Sequence, residues 1–511
     1  MCGIAAQWGR PDAASGWRML DRLKHRGPDD RGDLTIGRAW LGHTRLSIVD
    51  VVGGHQPMTV RDHRVAIVAN GEIYNHRDLR ADLDRAHEDR PVTWQTVSDS
   101  EVALHVIDRD GPAGLAKLRG MFALAFSDGR DRFLLARDPV GIKPLYWAHH
   151  DGTVVAASEL KAFDPALRPW VESFPPGHYW TPAEGLVRFA TAVPDRVRRP
   201  VDRPARSDAE DLEEIRNVLV TAVDRRMMGD VPVGCFLSGG LDSSIIAAIA
   251  ARWVQRRGQR LQTFAVGTPD SADVAAARVV AEVLGTDHHE VSLSPEENLD
   301  VVPEVVRSIE HFDPSLVRSA VANYVLAELA ARHVKVVLTG EGADELFGGY
   351  EYLHEGDYDH PEHLHAELVR SVEELHGLNL QRCDRVTMAH GLEARVPFLD
   401  VDVIEAVLAI PPALKVPTGD RMEKDLLRRA FEGWIPDSIL WRTKAQFGDG
   451  SGAASVRVTV GDSVKLSDFD LERGAIEPPL RTREEVAYHR IWASALAPTR
   501  PEATLFRFAT A

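Results

Sequence analysis

The second residue of the chain is a cysteine, in the run Met1-Cys2-Gly3-Ile4. Removal of the initiator methionine would leave one residue bearing both a thiol and a free α-amine. The thiolate is the reactive form, and an α-amine titrating at about 7.7 to 8.0 can take its proton. Alone, such a cysteine also reads as a small apolar residue at a chain start. Residues further along the chain add weight to the reactive reading. Between Arg26 and Asp99 run the polar segments HRGPDD, HTRLSIVD, NGEIYNH and VSDSE, which a packed core does not require. Arg45 offers a planar fork for a carboxylate, and Asp99 an anion for an ammonium. Asn70 and Gly71 offer an amide and an unencumbered N–H for an oxyanion. Asn-Gly between apolar runs also reads as a hairpin turn, and Arg45 and Asp99 taken singly read as surface charges. With Cys2 they describe a pocket for a free amino acid beside a nucleophile.

A second set of residues points to phosphate chemistry. Residues 233–237 read as a short buried strand, followed by Ser238-Gly239-Gly240-Leu241-Asp242-Ser243-Ser244 and the helical pattern IIAAIAARWV. Glycines let backbone approach an anion, hydroxyls add donors, and a helix N-terminus contributes partial positive charge. An ordinary capped loop between strand and helix looks similar. No Gly-Lys-Ser/Thr comes after the glycines, so this is not a Walker loop. Asp242 supplies a carboxylate suited to Mg2+. FAVG at residues 264–267 is another strand ending in glycine, placed for a nucleotide base. VVLTGEGADELFGGY from Val336 is a strand that breaks into a loop carrying Glu341, Asp344 and Glu345. By itself that loop is solvated acid; beside a phosphate loop it supplies a metal ligand.

Positioning two such sites takes more than one core. A chain of 511 residues predicts two or three domains. Up to residue 193 short apolar runs alternate, as in an antiparallel β-rich layer; residues 194–210, rich in proline and charge, read as a linker. Residues 211–495 read as helices alternating with short strands, beginning with a helix over 211–223, and 496–511 as a C-terminal tail. The formal charge of −17 disfavours nucleic acid and anionic membranes as partners. The three cysteines, Cys2, Cys235 and Cys383, are scattered and odd in number, which excludes a disulfide framework and suits a reducing cytoplasm. No apolar stretch approaches the roughly 20 residues of a membrane span, and Met1 to Gly9 lacks the basic flank of a signal peptide.

Residues 2–179 resemble the class II glutamine amidotransferase domain, through HRGPDD, HTRLSIVD, NGEIYNH and VSDSE together with GMFALAF, ARDPVGIKPLY, ASELKA and FPPGHY. SGGLDSS resembles the pyrophosphate loop of ATP pyrophosphatases. GLEARVPFLD, RMEKDLLR and WRTKAQFGDG extend the likeness, over roughly residues 1–452, to the glutamine-hydrolysing asparagine synthetases. The resemblance implies an α+β N-terminal-nucleophile hydrolase αββα sandwich followed by an α/β ATP-pyrophosphatase (adenine nucleotide α-hydrolase-like) domain. It implies that Cys2 attacks glutamine, with Asn70 and Gly71 stabilising the oxyanion. Arg45, Leu46, Ser47, Ile48, Val49, Asn70, Gly71, Glu72 and Asp99 would hold the glutamine. Leu237, Ser238, Gly239, Gly240, Asp242, Ser243, Val266, Thr339, Gly340 and Lys424 would contact ATP, a substrate, and Asp242 and Asp344 would ligate Mg2+. Glu341 would support formation of an acyl-adenylate, Lys444 would neutralise phosphate charge, and Glu310, in IEHFD, would take a proton from ammonia. The product would be asparagine, with AMP, pyrophosphate and glutamate; the partners would be small molecules, with room for a homodimer.

One segment departs from that family. Its members typically show Thr-x-x-Arg-Ala-Ser-x-Pro where this chain reads Ser315-Leu316-Val317-Arg318-Ser319-Ala320-Val321-Ala322. Arg318 survives as the expected acceptor contact, but the Ala-Ser pair is inverted and the proline is missing. Aspartate is the expected acceptor, with a secondary-metabolite carboxylate as the alternative. A β-lactam-forming relative would have no use for the Cys2 set, and a non-catalytic sensor would be expected to shed costly buried charges.

Overall fold

The strands of the N-terminal domain carry apolar side chains on both faces, and the fold shows why. The computed structural model describes residues 2–86, 92–200, 207–268, 270–354, 358, 360–417, 421–443 and 453–508. The strands of this domain are, in chain order, Gly3–Trp8 (β1), Asp30–Ile36 (β2), Ala39–Arg45 (β3), Met58–Val60 (β4), Val65–Ile73 (β5), Gly120–Ser127 (β6), Phe133–Arg137 (β7), Tyr146–His150 (β8), Thr153–Ala157 (β9), Val171–Ser173 (β10), His178–Thr181 (β11) and Gly185–Arg188 (β12). Among the described residues they form two six-stranded sheets, ordered β10-β8-β9-β1-β3-β2 and β12-β11-β7-β6-β5-β4. Every pairing between these strands is antiparallel.

Side chains alternate across each sheet with the two-residue period of a strand. Ile4 and Ala6 of β1, Ala66 and Val68 of β5, and Ala123 and Ala125 of β6 share one cluster between the sheets. Ile67 and Ala69 of β5, and Phe122, Leu124 and Phe126 of β6, pack outward on Val102, Leu104, Val106 and Ile107 of the helix Asp99–Asp110. On the other side, Ala5 and Trp40 meet Met19 and Leu20 of the helix Ala13–Arg22. Helix, sheet, sheet and helix make four layers, the αββα sandwich.

The C-terminal domain is built on Val233–Phe236 (β13), Gln262–Gly267 (β14), Asp287–Ser292 (β15), Val336–Leu338 (β16) and Glu393–Arg395 (β17). They form one parallel sheet in the order β15-β14-β13-β16-β17. The chain steps outward from β13 to β15, then returns to the other side of β13 at β16. That reversal is a topological switch point, and the crevice beyond the strand ends is where such sheets bind ligands. The helix Leu241–Gln255 that comes after β13 is apolar around nearly its whole circumference, as a helix enclosed within a core must be.

The helix expected over 211–223 spans Asp208–Arg226 and starts at Ser207, whose side chain and that of Glu210 form a capping box. The segment read as a linker is tied down at its start. Val197 is buried, Arg196 pairs with Glu405, and Arg198 Nη1 lies 3.1 Å from Glu373. The tail is docked as well: His311 Nε2 lies 2.7 Å from the Phe506 carbonyl, and the Phe508 N–H donates to Asp313 at 3.2 Å. Hydrogen bonds and burial together hold both, with Val197 in one apolar cluster and Leu505, Phe506 and Phe508 packed against another. The domains meet over shared apolar clusters. Leu46, Ile48 and Ile142 join the core of the second domain, and Leu160 and Phe163 pack with Ile309, Phe312 and Trp492.

Candidate active sites

Cys2 lies at the start of β1, and its backbone nitrogen donates to Asn70 Oδ1 across the sandwich at 3.0 Å. Asn70 is fully buried, and its amide nitrogen Nδ2 makes no hydrogen bond among the described residues. A buried donor without a partner is costly, so this one is available to a ligand oxygen. Gly71 comes next with φ +141°, and a Cβ there would lie 1.9 Å from the Met121 carbonyl oxygen, so only glycine fits. Burial pushes the Cys2 thiol up, and a backbone hydrogen bond from Leu46 opposes it. The expected turn is therefore the inner part of a strand, with Asn70 pairing with Ala123 of β6 and Gly71 with Phe122.

The other expected glutamine contacts surround this point. Arg45, at the end of β3, donates to the carbonyls of Val49, Asp50 and Val51 at 3.2, 2.6 and 3.1 Å. It thus shapes the loop of residues 46–49, in which the Ser47 N–H donates to Asp29 at 2.7 Å. Asp99, in the first turn of its helix, accepts the Ile73 N–H at 2.6 Å. Glu72, next to Gly71, is buried beside it. Burial and then Asp99 raise the Glu72 carboxyl well above the usual carboxylate range, and burial raises Asp99 too. Two closely spaced buried acids are poised for a cation such as an α-ammonium.

Two residues of this site carried no signal in the sequence beyond lying inside the motifs HRGPDD and GLEARVPFLD. Arg26 donates through Nε to the Cys2 carbonyl at 3.0 Å, and its Nη1 reaches Glu159 at 2.6 Å and Asp384 at 2.8 Å. Arg395 of β17 places Nη2 3.2 Å from Glu72 Oε1.

At the switch point, Leu237 extends the β13 ladder by donating to the Phe264 carbonyl at 2.8 Å. Val266 stands near the end of the adjacent β14. Ser238 Oγ and Ser243 Oγ lie 3.0 Å apart, and the Gly240 N–H donates to Ser238 Oγ at 3.3 Å. Gly239 has φ +75°, and a Cβ would come within 2.4 Å of the Asp273 carbonyl. Among the described residues no side chain caps the helix that begins at Leu241, so its N-terminus is open to an anion. The loop after β16 lies against that of β13, since a Cβ on Gly340 would lie 2.9 Å from Asp242 Cβ. Thr339 Oγ1 accepts the Glu341 N–H at 3.3 Å.

Asp242 and Asp344 come from these two loops and meet on one cation, Lys424 Nζ, at 2.6 and 2.8 Å. Burial works against the charge on Lys424, but the two carboxylates outweigh it and hold the ammonium protonated. Two hard oxygen donors around one centre fit Mg2+, which takes few protein carboxylates and completes its shell with phosphates and water. Among the described residues no larger cluster of acids, histidines or cysteines competes for it. Lys444 lies outside the described residues.

Two expected site residues make their contacts away from the acid loop. Arg318 does not reach the acid loop: its guanidinium donates to Glu484 at 2.7 Å, against the helix Arg483–Leu496. The next residue in the helix Pro314–Ala331, Ser319, points elsewhere, because successive residues are turned about 100° apart. Ser319 Oγ accepts Arg382 Nη1 at 2.9 Å, and Arg382 also pairs with Glu341. The guanidinium beside Glu341 is therefore Arg382. Glu310 has left-handed backbone, φ +56°, after the helix Pro295–Ile309, and its carboxylate accepts the N–H groups of Leu160 and Lys161 at 2.9 and 2.7 Å. With Arg385 Nη2 3.4 Å away, it sits at the domain interface and not on the acid loop. Glu345 is buried, accepts Tyr350 Oη at 2.6 Å, and is pushed up to about 7 by burial and then by Asp344.

Residues 1–177 match the family model for a glutamine amidotransferase domain, and residues 214–360 and 354–473 match that for asparagine synthase. The chain is 38% identical over 499 residues to asparagine synthetase B [glutamine-hydrolyzing] of Escherichia coli, covering 93% of this chain and 86% of that one. It is 36% identical over 546 residues to a probable asparagine synthetase [glutamine-hydrolyzing] of Schizosaccharomyces pombe, covering 99% and 96%. A third relative, asparagine synthetase [glutamine-hydrolyzing] 3 of Arabidopsis thaliana, is 38% identical over 480 residues, covering 88% and 79%.

The chain belongs to the asparagine synthase family. In this family member the two sites face different solvent regimes. The Cys2 pocket is enclosed by the domain interface, whereas Asp242 and Asp344 keep 22% and 24% of their side-chain surface exposed, at the mouth of the crevice.

Proposed function

We propose that this chain amidates aspartate, using glutamine as nitrogen source and ATP as activator, and releases asparagine, glutamate, AMP and pyrophosphate. The observation that carries the reading is the presence in one chain of two built sites, the Cys2–Asn70 pair with its free amide donor and the Asp242–Lys424–Asp344 bridge at the switch point. The names of the relatives give asparagine as their product, and amidation that ends in asparagine starts from aspartate.

In the first site the Cys2 thiol attacks the side-chain amide of glutamine, and the α-amine freed by methionine removal takes the thiol proton. Asn70 Nδ2 and the Gly71 N–H receive the oxyanion. Arg45 takes the substrate carboxylate, and Asp99 with Glu72 takes its ammonium. In the second site the Ser238–Ser243 loop and the open helix N-terminus bind the phosphates. Leu237, Val266 and Gly340 line the nucleotide. Asp242 and Asp344 would hold Mg2+, which supplies neutralisation of phosphate charge. Lys424, already buried between those carboxylates, adds a fixed positive charge next to the departing pyrophosphate. Glu341, oriented by Arg382, faces the activated carboxylate. Cytoplasmic residence, where Cys2, Cys235 and Cys383 stay reduced, and a homodimeric assembly complete the proposal.

The test is pyrophosphate release by purified chain with ATP, Mg2+ and ammonium across a panel of carboxylic acids. Aspartate should support release and succinate should be poor, because a pocket built for paired charges is left with unmatched groups by an acid that lacks one. Release with a larger acid and none with aspartate would overturn the acceptor.

A further inference from the structure

The glutamine pocket includes a side chain from the other domain. Glu72 Oε1 and Arg395 Nη2 are 3.2 Å apart, and both residues are buried. Arg395 is held at Nε and at Nη1. Nε donates to Glu393 Oε1 at 2.6 Å, and Nη1 donates to the Arg226 carbonyl at 2.6 Å and to that of Met228. The aromatic ring of Tyr74 lies beneath it, 6.0 Å from the guanidinium carbon. Anchored at Nε and Nη1, the guanidinium keeps Nη2, which makes no hydrogen bond among the described residues, beside Glu72 Oε1 as an ion-pair partner from β17. The second oxygen of Glu72, Oε2, is buried and accepts no hydrogen bond among the described residues. Arg395 also reaches the other site through its backbone, since its carbonyl accepts the Thr339 N–H at 3.0 Å, at the base of the loop carrying Glu341 and Asp344.

We propose that Arg395 is a positioning residue of the glutamine pocket, supplied by the C-terminal domain, which aims Glu72 Oε2 at the α-ammonium of glutamine. The proposal rests on the reading of this pocket as the glutamine site. The charge balance favours it. Glu72 lies beside Asp99 and Glu393, and both press it towards the neutral form, while Arg395 presses it towards the charged form that an ammonium needs. Without that guanidinium the buried acid takes up a proton and its grip on the ammonium weakens. The N-terminal domain alone would carry an incomplete pocket.

The experiment measures glutamate release from glutamine by the full chain. Arg395→Gln should raise the glutamine KM by about tenfold or more, as loss of one partner of a buried charge pair does, with kcat for glutamate release changed by less than about threefold. Arg395→Lys should restore most of the KM, because the charge returns. Arg395→Met, which keeps the apolar reach of the stem and removes the charge, should raise KM to a similar extent and serves if Arg395→Gln does not fold. An unchanged glutamine KM in Arg395→Gln, or in Arg395→Met where that variant stands in for it, overturns the proposal. So does a loss of kcat with KM unmoved, or an equal fall in glutamate release and ammonium-dependent pyrophosphate release. A parent chain that releases no glutamate from glutamine instead refutes the pocket reading.

Discussion

The two sites balance charge in different ways. In the Cys2 pocket Glu72 and Asp99 are buried together and both are raised by burial, Arg395 stands beside Glu72 alone, and on the proposed reading the substrate ammonium supplies the further cation. In the crevice two acids, Asp242 and Asp344, already share one cation, Lys424. The first site is set on strands, where the β5–β6 register fixes Asn70 and Gly71 within a packed sandwich. The second is set on loops beyond the ends of β13 and β16. On the proposed reading, a strand-built pocket with two buried acids would select one small zwitterion. A loop-built crevice whose two acids share a lysine would hold its carboxylates together and pass them to a metal when nucleotide enters.

Cys2→Ala tests the separation of the two sites most severely. Glutamine-dependent asparagine formation should fall by about a thousandfold or more, while synthesis from high ammonium stays near the parent rate, since the thiol serves one half-reaction only. Loss of both activities would merge the two regions into one. Asp242→Asn is the converse, keeping bulk and removing charge. Pyrophosphate release should drop by about a hundredfold or more with glutamate release intact, and the assay is pyrophosphate against glutamate in one preparation.

Smaller effects sharpen the contrast within the crevice. Arg382→Ala should raise the aspartate KM by about tenfold, because it leaves Glu341 and the acceptor without a guanidinium, whereas Arg318→Ala should change it by less than about threefold. The reverse ranking in steady-state kinetics would return the acceptor contact to Arg318. Glu345 gives a pH signature. Its carboxyl is pushed up to about 7 from 4.5, by burial first and Asp344 second. A raised acid favours the fold while protonated, so its contribution is present below about pH 4.5 and is lost as pH rises through about 7. Glu345→Gln mimics the neutral form, and its melting temperature should fall less than the parent's between about pH 5 and 8, by a few degrees. Parallel curves would contradict the assignment.

Much of both sites was legible in the sequence because the chemistry is local. Asn70-Gly71 and SGGLDSS each lie within a few residues of what gives them meaning, and the near-continuous apolar runs of β5 and β6 mark strands buried on both faces. What the sequence hid depends on distance and on phase. Arg26 and Arg395 act across the domain interface, on Asp384 and Glu72, and no local pattern announces a partner in another domain. Arg318 and Ser319 are neighbours in sequence, yet the helix directs them to Glu484 and to Arg382 respectively. The tail lies beyond the motifs, yet hydrogen bonds to His311 and Asp313 and the packing of Phe506 and Phe508 dock it.

The coupling of the two sites is tested most directly by supplying the full chain with glutamine labelled with 15N at the side-chain amide, together with aspartate, ATP and Mg2+, and measuring asparagine and pyrophosphate together. Labelled asparagine should form, equal in amount to pyrophosphate and abolished in Cys2→Ala. Glutamate release accompanied by neither asparagine nor pyrophosphate would contradict that coupling.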